Sequence, residues 1–253
     1  MVAGLVQYSP VWENKERNKE KIISLLSNSD NTDLLVFPEM TLTGFTMKAS
    51  EFAEDMDGES ICFFSKIAVD YNTNVIAGFI ERDKTKVYNT LVHIDKKGQA
   101  VCRYRKIHPF SYSGEDKNFV KGTETKTTII DGWKTGLSIC YDLRFPELYR
   151  YYALERVAMI INIASWPESR AEHWKALLKA RAIENQCYVI GVNRVGADPT
   201  LNYIGCSSII DPMGEEIFGV INEERIITAD LTLNRTEEVR TRLPFLNDIC
   251  LFK

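Results

Sequence analysis

Twice along the chain an apolar strand, a helix and a second apolar strand follow one another, and this repeated unit limits the fold more than any other feature. Val2 to Tyr8 reads as a strand, Asn14 to Ser29 as a helix with Ile22, Ile23, Leu25 and Leu26 on one side, and Asp33 to Phe37 as a buried strand. The same order returns in Lys134 to Cys140, Glu147 to Arg156 and Ala158 to Ala164. Other segments read as hairpins. Asn74 to Ile80, Val87 to Asp95 and Gln99 to Arg105 are short strands, the last two joined at Lys96-Lys97-Gly98. Tyr203 to Ile210 pairs with Glu215 to Phe218 across the turn Asp211-Pro212-Met213-Gly214. Helices are predicted over Ser60 to Tyr71 and Arg170 to Asn185, the second with Trp174, Leu177, Leu178 and Ile183 on its apolar face. Parallel strand-helix-strand units mixed with hairpins predict an α/β fold of two packed mixed sheets with helices outside.

No Pro/Gly/Ser-rich linker or low-complexity stretch divides the sequence, so residues 1–253 are read as a single domain. With 45% hydrophobic and 26% charged residues, the chain has the composition of a globular protein rather than a disordered one. The 31 Lys and Arg against 35 Asp and Glu leave a formal charge of -4 with no basic tail, which argues against nucleic acid as a partner. The longest apolar stretches, such as Val157 to Ala164, fall far short of the ~20 residues that span a bilayer, so no membrane partner is expected. MVAGLVQYSP has neither a charged leader nor a cleavage site, and the expected location is the cytoplasm. The cysteines lie far apart without a CxxC pair, which supports neither a disulfide framework nor a zinc site. Cys62, Cys102, Cys187, Cys206 and Cys250 are read as buried structural thiols.

Three residues stand where a strand ends and the chain turns: Glu39 after DLLVFP, Lys106 after VCRYR, and Cys140 closing TGLSIC. Ligands of α/β sheets bind at the carboxyl ends of strands. Cys140 lies between an apolar strand and the helix-like RFPELYRYY, a strand-turn-helix context that exposes a side chain beside unpaired backbone N–H groups.

FPEMTLTGF around Glu39, YRKIHPF around Lys106 and SICYDLRFPELYR around Cys140 resemble the three signatures of the nitrilase, or carbon-nitrogen hydrolase, superfamily. INIASWPESRAEHWKALLKARAIENQCYVIGVNRVG and SSIIDPMGE resemble later segments of its omega-amidase-like branch, so the similarity covers essentially the whole chain. The resemblance implies a four-layer α-β-β-α sandwich and a triad of Glu39 as base, Lys106 as oxyanion partner and Cys140 as nucleophile. Glu115, in SYSGEDKNF, resembles the second glutamate that many members place beside the triad, where it accepts from Lys106 and positions the substrate. The residue types suit this chemistry. A thiol with a pKa of about 8.5 attacks an amide poorly until a carboxylate takes its proton, and the oxyanion needs fixed positive charge and a backbone N–H such as that of Tyr141. The resemblance also implies a homodimer, with the helix from Arg170 to Asn185 as part of the pairing face.

Each residue has a plainer reading. Outside the motifs Cys140 would be a structural thiol, and Glu39, Lys106 and Glu115 solvated loop residues. Arg144 either pairs with a carboxylate such as Glu147 or binds substrate, and Trp166 either packs in the core or lines the pocket. Phe45, Phe110 and Tyr112 either wall the cavity or pack beneath it. His93 and His173 are read as packing or surface residues, and His108 as a hydrogen-bond partner fixing the loop before Pro109. No His, Cys and carboxylate spacing supports a metal, and no cofactor is expected.

The resemblance points to a hydrolase that cleaves the terminal amide of a small carboxylate-bearing substrate, such as 2-oxoglutaramate or 2-oxosuccinamate, through a cysteine thioester. N-carbamoyl or other small-amide hydrolysis is the alternative within the same chemistry. Nitrile cleavage is disfavoured because Tyr-Asp follows Cys140 where nitrile-cleaving members usually carry Trp-Glu. A non-catalytic interaction protein or an ammonia-supplying partner on the same fold is the alternative from a different class, opposed by the intact set of Glu39, Lys106, Glu115 and Cys140.

Overall fold

The computed structural model describes residues 1–251. In chain order the first half holds β1 (Val2–Gln7), α1 (Lys15–Leu26), β2 (Leu34–Val36), α2 (Ala49–Phe52), α3 (Glu59–Asp70), β3 (Asn74–Asp83), β4 (Lys86–Ile94) and β5 (Ala100–Arg105). Beyond it follow α4 (Glu115–Asn118), β6 (Thr127–Ile130), β7 (Trp133–Ile139), α5 (Pro146–Leu154), β8 (Met159–Ala164), α6 (Ala171–Asn185) and β9 (Tyr188–Asn193). The chain then continues through β10 (Val195–Ala197), β11 (Asn202–Ile210), β12 (Glu216–Ile221), β13 (Arg225–Asp230) and α7 (Asn234–Arg242).

The strands form two mixed sheets. One has the order β13-β1-β2-β3-β4-β5, and the other β10-β11-β9-β8-β7-β6 with β12 beside β11. In the first, β1, β2 and β3 run parallel; in the second, β7, β8 and β9 do. The repeated unit read from the sequence is therefore the parallel centre of each sheet, and hairpins extend both.

Residue parity assigns each sheet its two faces. Leu5, Leu34, Val36 and Ile76 meet Leu137, Ile161, Ile163 and Ile190 of the other sheet in the central core. Their chain neighbours Val6, Leu35, Phe37 and Val75 point outward onto α1 and α3, where they pack with Ile22, Phe64 and Ile67. Ile160 and Val189 likewise face α5 and α6, packing with Tyr152, Trp174 and Leu178. Strands apolar on both faces belong to a sheet covered on both sides, and the result is a four-layer α-β-β-α sandwich.

Three expectations need correction. Ile23 of α1 is exposed rather than on the apolar side with Ile22 and Leu26, because one residue further along a helix turns the side chain by about 100°. Ile183 of α6 is 47% exposed, because nine positions after Trp174 it lies on the opposite side of a helix with 3.6 residues per turn. The buried stripe is Trp174, Leu178, Arg181, Ala182 and Asn185. Among the thiols read as structural, Cys187 and Cys206 are buried, but Cys62 and Cys250 are exposed and Cys102 is intermediate. Cys62 falls off the inward stripe of α3 set by Ile61, Phe64, Ile67 and Ala68, and Cys250 lies beyond the last helix.

Candidate active site

Three strand-end loops converge at one end of the sandwich. Glu39 leaves β2 after Phe37 and Pro38, and its loop is fastened to β3: Phe37 N–H donates to Ile76 O at 2.8 Å and Thr41 N–H to Gly78 O at 2.8 Å. Only glycine fits beneath it, since a Cβ on Gly78 would stand 2.6 Å from Met40 N and 2.9 Å from Glu39 Cα. Lys106 follows β5, with its N–H donating to Asn89 O of β4 at 2.9 Å and its carbonyl accepting from Gly122 N–H at 2.7 Å.

Cys140 ends β7 with φ of 47°, in the left-handed region that a non-glycine residue enters only under constraint. A 3₁₀ turn, Cys140–Arg144, starts there without an intervening loop. The constraint is Asp142, fully buried, whose Oδ2 accepts from Ile139 N–H at 2.9 Å and from the Tyr104 hydroxyl at 2.8 Å. Its Oδ1 accepts from His108 N–H at 3.0 Å and stands 2.7 Å from His108 Nδ1. His108 thus fixes the loop before Pro109, as expected, and ties the loop after Lys106 to the turn holding Cys140. Its ring stacks on Phe145 with centroids 3.8 Å apart. Arg181 of α6 donates to Leu143 O from Nε and Nη2 at 3.1 and 2.7 Å, closing the turn from the other side.

Glu39, Lys106 and Glu115 are 1%, 2% and 0% exposed and form one cluster. Lys106 Nζ donates to Glu39 Oε1 at 2.9 Å and to Glu115 Oε1 and Oε2 at 3.1 and 2.9 Å. Glu115 opens α4 and is buried, so the surface-loop reading of this residue fails. Burial acts most strongly on Lys106 and disfavours its charge, but Glu115 and Glu39 together outweigh it and hold the ammonium well above its ordinary pKa. Burial also raises the Glu115 carboxyl, with Lys106 opposing and Glu39 adding to the rise. For Cys140, burial first and then the charge of Glu39 push the thiol well above its usual pKa against the pull of Lys106, so the resting sulfur is a neutral thiol.

Backbone donors complete the arrangement. Ser165 N–H, just beyond β8, donates to Glu39 Oε2 at 2.9 Å and also lowers the Cys140 thiol pKa. Cys140 N–H is taken by Asn162 Oδ1 at 3.1 Å, and the Asn162 amide is held in turn by Ser138 and Tyr149. Tyr141 N–H lies in the first turn of the 3₁₀ segment, where helix N–H groups have no internal partner.

Cys140 lines a cavity of about 600 Å³ together with Tyr141, Arg144, Trp166, Arg170, Phe45 and Phe110. Arg144 does not pair with Glu147: its guanidinium lies over the Trp166 ring at 4.7 Å, with Nη2 3.3 Å from His173 Nδ1. Trp166 is both buried and a wall residue, anchored by its N–H to Asn193 Oδ1 at 2.7 Å and its Nε1 to Arg170 O at 2.7 Å. Tyr112 neither lines the cavity nor packs beneath it; it is 89% exposed on the outer side of Phe110. His93 packs between the sheets, 2.7 Å from Thr128 Oγ1 and 3.2 Å from Asn74 Oδ1.

Sequence reasoning missed Asn89, the role of Asp142, Asn162, Arg170, Arg181 and the Ser165 N–H. Asn89 carried a readable signal: asparagine is disfavoured inside strands, yet it stands within VYNTLVHI.

The carbon-nitrogen hydrolase profile matches residues 2–241. A 2-oxoglutaramate amidase of Bacillus subtilis is 36% identical over 236 residues, covering 92% of this chain and 91% of its own. The omega-amidase YafV of Escherichia coli is 32% identical over 253 residues, covering 98% of this chain and 96% of its own. In three dimensions the chain resembles XC1258 of Xanthomonas campestris, a CN-hydrolase superfamily protein with an arsenic adduct in its active site. The TM-score is 0.95 at 32% identity over 100% of this chain and 98% of that one. On sequence and on fold alike, the chain belongs to the carbon-nitrogen hydrolase family.

Proposed function

We propose that the protein hydrolyses the terminal amide of small carboxylate-bearing substrates, the omega-amides of 2-oxo acids such as 2-oxoglutaramate and 2-oxosuccinamate, and releases ammonia. The observation that carries this reading is the Lys106 ammonium enclosed by two buried carboxylates beside a cavity whose wall includes Cys140. The names of the relatives above support the choice of amide.

Cys140 Sγ attacks the amide carbon while Glu39 takes the thiol proton, because a neutral thiol needs a base at the moment of attack. Glu39 makes no hydrogen bond to the thiol in the resting geometry, and such contacts commonly tighten only when substrate binds. The carbonyl oxygen becomes an oxyanion stabilised by Lys106 and the Tyr141 N–H. Collapse breaks the C–N bond, ammonia leaves with the proton from Glu39, and a thioester remains on Cys140. Water then attacks the thioester, giving a proton to Glu39; the acid departs and the thiol regains its proton. Glu115 holds Lys106 in place. Arg144, which pairs with no carboxylate among the described residues, binds the substrate carboxylate with Trp166 beneath it.

Residues 1–253 act in this reading as one domain, in the cytoplasm, as a homodimer pairing partly through α6. Light scattering at micromolar concentration tests the dimer, and a monomer there removes it. Ammonia release from oxo-acid amides, dicarboxylate monoamides, carbamoyl amino acids and nitriles tests the substrate. Preference for a carbamoyl amino acid over 2-oxoglutaramate and 2-oxosuccinamate would replace this reading with N-carbamoyl hydrolysis.

A further inference from the structure

We propose that Asn89, a residue of β4, is a positioning residue that gives the two carboxylates their separate tasks by filling one oxygen of each. Its Nδ2 donates to Glu39 Oε1 at 2.7 Å and to Glu115 Oε1 at 2.8 Å. Its Oδ1 is buried and has no hydrogen-bond partner among the described residues. Reversing the amide would set Oδ1 against two carboxylate oxygens and lose both bonds, so charge fixes the orientation. A buried acceptor left unsatisfied lowers stability, a cost set here against the two charge-assisted hydrogen bonds from Nδ2.

An ionised carboxylate has about four acceptor positions, two on each oxygen. Glu115 fills them all: Lys106 and Asn89 donate to Oε1, and Lys106 and the Phe110 N–H, at 2.9 and 2.5 Å, donate to Oε2. Among the described residues, Glu39 has Lys106 and Asn89 on Oε1 but only Ser165 N–H on Oε2. One acceptor position stays open, on Glu39 Oε2. Asn89 therefore makes Glu115 a saturated anchor and directs the thiol proton to a single oxygen of Glu39. The inference rests on the proposed reading of Glu39 as the base.

Removing a neutral donor from ionised carboxylates raises their pKa, which moves the acid limb of the rate profile to higher pH. In Asn89→Ala, kcat for ammonia release should fall about 100-fold with KM changed less than about threefold. The acid limb of kcat/KM should rise by about half to one pH unit. Asn89→Asp keeps the shape, offers one O–H at most and adds negative charge when ionised, so its limb should move up at least as far. The aspartate variant decides the matter if the alanine variant does not fold. Alkylation of Cys140 by iodoacetamide counts competent sites. A loss of kcat that merely tracks alkylated Cys140, with the limb unmoved, would show a structural role and overturn the proposal. So would a wild-type pH profile in Asn89→Asp. Glu39→Gln separates the two ideas: if it keeps wild-type activity, the reading of Glu39 as base is wrong, and if it is inactive while neither Asn89 variant moves the limb, only the role of Asn89 falls.

Discussion

The two halves of the sandwich share one scaffold and use it differently. After β2 in one half and β8 in the other, the loops meet head to head, with Ser165 N–H of the second donating to Glu39 of the first at 2.9 Å. After β1 and β7, the corresponding first strands, the halves diverge. From β1 the chain runs on through Tyr8 to Asn14 before α1, whereas β7 passes directly into the 3₁₀ turn at Cys140 with left-handed backbone. The parallel strands at the centre of each mixed sheet place loops at one end. What makes one loop hold the Cys140 thiol is local: Asp142, Asn162 and Arg181 fasten a turn that the other half lacks.

The strongest break of this comparison removes the groups that the two halves contribute. Cys140→Ala should lower turnover by at least about 10⁴-fold while thermal unfolding changes little, and Cys140→Ser should be nearly as inactive because a carboxylate is too weak a base for an alcohol. Glu39→Gln should be equally silent in both acylation and hydrolysis. Accumulation of a stable acyl-enzyme in that variant at the wild-type rate, read by mass spectrometry, would mean that the first half does not supply the base for attack.

A milder break leaves Glu39, Lys106 and Cys140 in place and disturbs only their support. In the first half, Gly78→Ala sets a methyl against Met40 N and Glu39 Cα, so the Glu39 loop must shift. In the second, Asp142→Asn cannot accept from all its partners, Ile139, Tyr104 and His108, and loosens the Cys140 turn. Each should lower kcat about 100-fold with folding retained, as misplacement by about 1 Å does. The outcomes should differ in iodoacetamide labelling of Cys140: slowed or made heterogeneous by Asp142→Asn, unchanged by Gly78→Ala. Equal labelling in both would mean that the turn holds without its aspartate.

The sequence exposes the scaffold more readily than the supports. Strands apolar on both faces, such as LLV and MIINIA, cannot sit at a surface, and the strand-helix-strand order left few other arrangements. β9 has no boundary signal in the sequence, because it follows α6 with no Gly or Pro between them; the helix stops at Gln186 with φ of 47°. α7 buries Thr236, Val239 and Arg240, which form no apolar stripe. At the site, Glu39, Lys106 and Cys140 stand at strand ends where chemistry is expected. Asn89, Asp142 and Arg181 act through bonds to residues far along the chain, and one sequence cannot say which polar residues face inward.

Recognition of substrate charge sharpens the comparison, since the second half supplies both cavity arginines, Arg144 over Trp166 and Arg170 over the Phe110 ring at 5.6 Å. Arg144→Ala should raise KM about 10- to 100-fold for 2-oxosuccinamate and much less for a neutral amide of similar size, with Arg144→Lys only partly restoring it. Equal losses on both substrates would make Arg144 a support for the Cys140 turn and pass the clamp to Arg170.

The smallest effect concerns the joint between the halves. His93 of β4, 1% exposed, reaches Thr128 of β6 in the opposite sheet. Burial pulls its pKa from 6.5 down to about 4, against the opposing charges of Asp95 and Asp131, so the folded protein holds it neutral where the unfolded chain would protonate it. A depressed histidine pKa contributes stability that is complete above about pH 6.5 and is lost as pH falls toward 4, since there the unfolded state binds the extra proton. At pH 5 the loss is on the order of 2 kcal/mol. Thermal unfolding of wild type and His93→Gln, followed from pH 7.5 to 4.5, isolates this contribution from that of the carboxylates. The wild type should lose its stability relative to the variant over that range. If the difference between the two stays constant with pH, His93 is not held neutral at the joint, and the acid sensitivity of the sandwich arises elsewhere.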